Sequence, residues 1–126
     1  MSDAVTYTCD NHIAVITMNK ADRMNRLDPE IVDGLNQCWK RFMADDDARV
    51  AVLTGAGEKA FSAGADLKNV PHDLYRAIPS TGVPVDKPAI GAVAGWCIGG
   101  WGRDVHSVSR TVASGGEVRQ TYETGV

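Results

Sequence analysis

Residues 50–66 read Val-Ala-Val-Leu-Thr-Gly-Ala-Gly-Glu-Lys-Ala-Phe-Ser-Ala-Gly-Ala-Asp, and they constrain the fold more than any other stretch. The first five are uncharged strand formers. That pattern suits a strand buried on both faces of a parallel sheet. Gly55 and Gly57 then allow a sharp turn. Phe61 is a single large anchor, and Ser62, Ala63, Gly64 and Ala65 after it are small. Small residues let a ligand approach the main chain. A helix opening here leaves unpaired N–H groups that can hold negative charge. The stretch is read as a strand that delivers bare backbone to a ligand; the plainer alternative is an ordinary strand–turn–helix.

Size and charge narrow the class. The 126 residues amount to one domain, large enough to bury a core without covalent staples. A net charge of −3 gives no basic patch, so nucleic acid is not an expected partner. The first residues, Met-Ser-Asp-Ala-Val, lack the basic and apolar regions of a signal peptide. The longest uncharged apolar run, residues 89–101, is too short and Gly-rich to span a membrane. Cys9, Cys38 and Cys97 are odd in number and far apart, which suits a reducing, cytoplasmic setting. His12, His72 and His106 show no metal-ligand spacing, so no metal is expected.

In chain order, residues 6–9 and 13–18 are rich in strand formers, and Asp10-Asn11 between them is turn chemistry. A hairpin is expected. Residues 19–27 form a polar connection. Asp28-Pro29-Glu30 announces a helix, with Asp28 as N-cap and Pro29 at the first helical position. Ile31, Leu35, Cys38, Trp39 and Phe42 follow at helical spacing. The helix is expected to fade over residues 44–47, where three aspartates end it rather than bind metal. With residues 50–54 as the next strand, this is a strand–helix–strand unit with a right-handed crossover in a mainly parallel sheet.

Residues 67–70 suggest a short helix cut at Pro71, and residues 72–78 one more helical turn. The proline-rich residues 79–88 read as loop. Residues 89–95 read as a second buried strand, again delivering glycines, Gly99 and Gly100, to a helix start. Composition then changes. Residues 101–126 are rich in Ser, Thr and Gly. Val105, Val108 and Val112 suit one short helix, and no element is expected beyond Gly116. Two glycine-bearing turns after two buried strands can converge if the strands are neighbours. Two backbone N–H donors at one point make an oxyanion hole, worth several kcal/mol to a reaction that builds charge on a carbonyl oxygen.

Several linked motifs carry a family resemblance. They are residues 19–28, Ala51-Val52-Leu53-Thr54-Gly55, Phe61-Ser62-Ala63-Gly64-Ala65-Asp66-Leu67-Lys68, and the run from Asp86 to Gly100. In order and spacing they resemble the crotonase (enoyl-CoA hydratase/isomerase) superfamily over residues 4–100. The resemblance implies an α/β fold, a crotonase-like (ClpP/crotonase) spiral of β-β-α units, here truncated. It implies an acyl-CoA thioester as partner and homo-trimers or hexamers as assembly. No separate cofactor is implied, since coenzyme A is part of the substrate. By the resemblance, the N–H groups of Ala65 and Gly100 stabilise a thioester enolate. Arg23, Arg26 and Leu27 match the family's CoA-contacting connection, and Ala63, Asp66, Leu67 and Lys68 match positions lining the thioester and pantetheine. Arg23 then faces a CoA phosphate; taken alone, one Arg there reads equally as a solvated charge.

The departures are specific. Trp101 replaces the third glycine of the family's run, and Arg103 stands where hydratases carry a Glu. An arginine can neither accept a proton nor orient water as a carboxylate does. The second hydratase Glu has no visible counterpart, and family members are about twice this length. Residues 1–100 are therefore expected to be the N-terminal part of a crotonase-like domain. Residues 101–126 are expected to be an atypical tail from a truncation or frameshift after Gly100, disordered or packed without purpose. With free codon choice, and a preceding codon ending in GC, the bases for residues 116–121 can read one frame over as Ala-Glu-Lys-Phe-Gly-Lys-Pro, whose Phe-Gly-Lys-Pro resembles the end of the family's Ala-x-Phe-Gly-x-Pro segment.

Hydration of an enoyl-CoA is the expected family reaction; isomerisation, dehalogenation and thioester hydrolysis use the same hole. Whether this chain turns over substrate stays open. One alternative is a non-catalytic acyl-CoA binder or oligomer partner, which would keep the backbone donors and lose the carboxylates. Another is a non-functional gene product. A dinucleotide site at residues 55–60 fits G-x-G-x-x-[GA], but the pattern alone is weak and Phe61-Ser62-Ala63-Gly64 interrupts the helix it needs.

Overall fold

The computed structural model of the chain describes residues 3–57, 60–62, 74–77, 83–97 and 110–119. Strands β1 (Val5–Asp10) and β2 (Ile13–Met18) form the expected hairpin, in register from Val5 opposite Met18 to Asp10 opposite Ile13. The turn sits one residue later than expected. Asn11 and His12 are its two central residues, with φ of 51° and 68°. A two-residue turn whose hand matches the strand twist needs this left-handed backbone at both positions. The carbonyl of His12 accepts from the N–H of Arg49 at 2.8 Å, and its Nδ1 lies 2.9 Å from the Asp47 carbonyl. The turn is thus stitched to the approach of the next strand.

Helix α1 (Pro29–Ala44) starts and ends where the sequence places it. Asp28 Oδ1 accepts from the N–H of Ile31 at 2.8 Å. Ile31, Val32, Leu35, Cys38, Trp39 and Phe42 are buried together with Ala14, Ile16, Met18, Ala51 and Leu53 in one core. Gly34 lets α1 lie close on β1, since a Cβ there would come within 2.8 Å of Val5 Cγ2. A 3-10 turn, Leu74–Ala77, docks on the same helix. Trp39 Nε1 donates to the Ala77 carbonyl at 3.0 Å, and Asn36 Nδ2 donates to that of Arg76 at 3.0 Å. At the helix end, Lys87 Nζ donates to the carbonyls of Phe42, Asp45 and Ala48 at 2.9, 2.9 and 2.8 Å. Nearby, the Tyr7 hydroxyl donates to Asp45 Oδ2 at 2.8 Å, a bond that holds the Asp45 carboxyl below its ordinary range.

Strand β3 (Val50–Gly55) runs parallel to β2, as the strand–helix–strand reading requires. Its burial is one-sided. Ala51 and Leu53 are fully buried under α1, whereas Val50, Val52 and Thr54 are half-buried on the opposite face. An uncharged run therefore overstates burial, because Val and Thr also suit a half-covered pleated face. Strand β5 (Ala89–Cys97) pairs parallel with β3 and runs two residues beyond the expected end. The sequence reading missed strand β4 (Ala60–Ser62), which pairs parallel with the far end of β5.

The tail departs most from expectation. Residues 110–119 form strand β6 (Arg110–Arg119), parallel to β5 from Ile90 opposite Arg110 to Trp96 opposite Arg119. Val112 lies in this strand rather than in a helix; Val105 and Val108 fall outside the described residues. A sheet edge pairs through main-chain groups that every residue carries. Such pairing needs no apolar signature, which is why a Ser/Gly-rich run gave no warning. The sheet order is β1-β2-β3-β5-β4, and β6 also pairs with β5, off this path.

Cys38 gives this core a pH dependence. Burial pushes its thiol from an ordinary 9.0 up to about 11, against a smaller opposing pull from Arg41. The unfolded chain then releases this proton first as pH rises. Its stabilising contribution is complete below 9.0 and is lost as pH climbs towards about 11. Urea midpoints for the native chain should fall more across that interval than those for Cys38→Val. Parallel pH profiles for the two would show that Cys38 plays no part.

Candidate active site

Parallel strands expose their carboxyl ends on one edge of a sheet, and ligands settle in the crevice there. Here β2, β3, β4 and β5 share one direction and release their connections at that edge. Ser62 and Cys97, the last residues of β4 and β5, are register partners. The described parts of β4 and β5 thus end side by side, and residues 63–66 and 98–100 follow them in the sequence.

The connection from β2 to α1 is held at its base and its middle. Lys20 Nζ bonds Asp28 Oδ2 at 2.6 Å and also meets Glu30, closing the mouth of the loop. Burial alone would pull the Lys20 pKa down, but the hydrogen bonds it donates to Asp28 and Glu30 outweigh this and leave it raised. Asn25 is completely buried and left-handed, with φ of 52°. Its Oδ1 accepts from the N–H of Lys20 at 2.9 Å, and its Nδ2 donates to the Ala56 carbonyl at 3.1 Å. The N–H of Ala56 in turn donates to the Met18 carbonyl at 2.8 Å. Gly57, with φ of 83°, packs where an added Cβ would come 3.0 Å from Ala21 Cβ. The loop after β2 and the turn after β3 are therefore fastened to each other.

Three of the expected site residues fall on this loop. Arg23 and Arg26 are exposed, and among the described residues neither guanidinium forms an ion pair. Leu27 is 4% exposed and belongs to the core. Ala63, Ala65, Asp66, Leu67, Lys68 and Gly100 lie outside the described residues, as does Arg103. Lys20 and Asn25 were missed as site-building residues. Their only signal was an Asn and a Lys in a polar connection beside an N-cap Asp. Among the described residues no cluster of His, Cys, Asp or Glu could hold a metal ion, and no helix is long and apolar enough to cross a membrane.

A family model described as enoyl-CoA hydratase/isomerase matches residues 8–113 and so runs past Gly100. The chain belongs to that family. It is 41% identical over 105 residues to (E)-benzylidenesuccinyl-CoA hydratase of Thauera aromatica, covering 76% of this chain and 41% of that relative. A probable enoyl-CoA hydratase/isomerase from Mycobacterium abscessus superposes with a TM-score of 0.78 at 32% identity, covering 90% of this chain and 46% of the other. An enoyl-CoA hydratase/carnithine racemase from Magnetospirillum magneticum superposes with a TM-score of 0.83 at 25% identity, covering 100% and 54%. The fold is thus the crotonase-type α/β fold of this family, and the chain spans about half the length of the proteins it matches.

Proposed function

We propose that the chain binds acyl-CoA thioesters and places the N–H groups of Ala65 and Gly100 on the thioester oxygen. The carrying observation is the pairing of Ser62 with Cys97. Ala65 lies three residues beyond Ser62, and Gly100 three beyond Cys97. Equal spacing from neighbouring parallel strand ends supports a meeting of the two N–H groups. The exposed Arg23 and Arg26 supply positive charge for the phosphates of CoA on the neighbouring loop. The relatives' names support hydration of an enoyl-CoA as the reaction this hole serves in a complete site.

Arg103 in the position of the hydratase Glu favours a second reading, a binder that does not turn over substrate. General acid–base help is worth about 10²–10⁴ in rate per group. Isothermal titration with acetyl-CoA should show weak binding, and crotonyl-CoA hydration should fall short of a competent enzyme by at least that factor. No heat at millimolar ligand on a folded sample would refute the binding site. Hydration at rates typical of the family would refute the non-catalytic reading.

A further inference from the structure

We propose that Asn25 is a positioning residue, one that locks the arginine-bearing loop after β2 to the turn after β3 so that both halves of one acyl-CoA are held in register. The inference rests on the acyl-CoA reading above. On that reading the nucleotide half meets Arg23 and Arg26, whereas the thioester meets backbone reached through β4. These are separate loops, and the binding energy of a bipartite ligand adds only if the two subsites keep a fixed spacing.

Asn25 is placed to fix that spacing. It lies between the two arginines in sequence and is completely buried. Its carboxamide uses one atom on each loop: Oδ1 on the Lys20 N–H, Nδ2 on the Ala56 carbonyl. The left-handed backbone at Met24 and Asn25, with φ of 55° and 52°, turns the chain so that Asn25 points inward while Arg23 and Arg26 remain exposed. Asn tolerates this conformation better than other side chains because its short amide can bond the local backbone. The close approach of Gly57 to Ala21 is a second contact across the same joint.

The test compares a whole ligand with its nucleotide half. Affinities for acetyl-CoA and for 3′-phospho-ADP are measured on the native chain, on Asn25→Gly and on Gly57→Ala. Asn25→Gly keeps the left-handed backbone without strain and removes both bonds. Gly57→Ala presses the joint open from the other side and serves if the first variant does not fold. Acetyl-CoA should bind about tenfold or more weakly to the variants, while 3′-phospho-ADP stays within about twofold. A residue that merely stabilises the fold would move both ligands together or neither, and either result on folded variants overturns the role of Asn25. Failure of the native chain to bind acetyl-CoA overturns the acyl-CoA reading itself and this inference with it.

Discussion

Trp39→Ala should destabilise the chain by about 3–5 kcal/mol, the range for truncating a large buried aromatic. Trp39 is fully buried in the middle of α1. Its ring meets Phe42 edge-on, with centroids 6.3 Å apart and planes at 66°. Such a pair adds about 0.5–1.5 kcal/mol beyond area burial. Its Nε1 also donates to the Ala77 carbonyl at 3.0 Å. Truncation empties the core beneath the sheet and strands that carbonyl at once. Trp39→Phe keeps a ring but loses the donor and part of the indole's volume, and should cost less than the alanine change, about 1–3 kcal/mol. Urea unfolding followed by far-UV circular dichroism measures both. A shift below about 1 kcal/mol for Trp39→Ala at unchanged slope would show that the site collapses to fill the void.

Lys87→Met should cost about 2–4 kcal/mol, because charge-assisted hydrogen bonds are worth about 1.5–3 kcal/mol each but are not additive. The last carbonyls of a helix have no partner within it. Lys87 Nζ collects those of Phe42 and Asp45, together with Ala48, and lies 4.9 Å from the centre of the Phe42 ring. A cation there also complements the negative end of the helix dipole. Methionine keeps the apolar stem and removes only the ammonium. Lys87 stands two residues before β5, so the same contact ties the end of α1 to the strand that leads to Gly100. Urea midpoints check the loss. A change under about 0.5 kcal/mol would mean that water replaces the ammonium without penalty.

The sequence read most clearly where a local rule acts within a few residues. Asp28-Pro29 fixed the start of α1 because an N-cap oxygen and a proline at the first helical position act on their own backbone. The hairpin followed from two strand-forming runs and a short polar turn, though the turn slid from Asp10-Asn11 to Asn11-His12. Nothing in the pair Asn-His demands a left-handed backbone at both positions; the register of β1 on β2 imposes it. The linked motifs from residue 19 to Gly100 revealed the family, since their residue types are tied to backbone approach and can be recognised without a structure.

Other features depend on what lies across space. Val52 looked like a doubly buried strand residue, yet only α1 decides which face is covered. Strands β4 and β6 carry little apolar pattern and exist by pairing with β5, whose edges are defined only once the sheet assembles. Leu27 is packed in the core beside a loop that turns at Met24 and Asn25, which its place in a polar connection did not announce. Asn25 and Lys87 looked like ordinary polar residues. Their bonds reach partners 31 and 39–45 positions away in sequence. By itself the sequence determined the family, the helix and the hairpin, because these rest on short-range chemistry. Tertiary structure decided the burial of each face, the pairing of β4 and β6 and the tie at Asn25, because long-range hydrogen bonds leave no local trace in the chain.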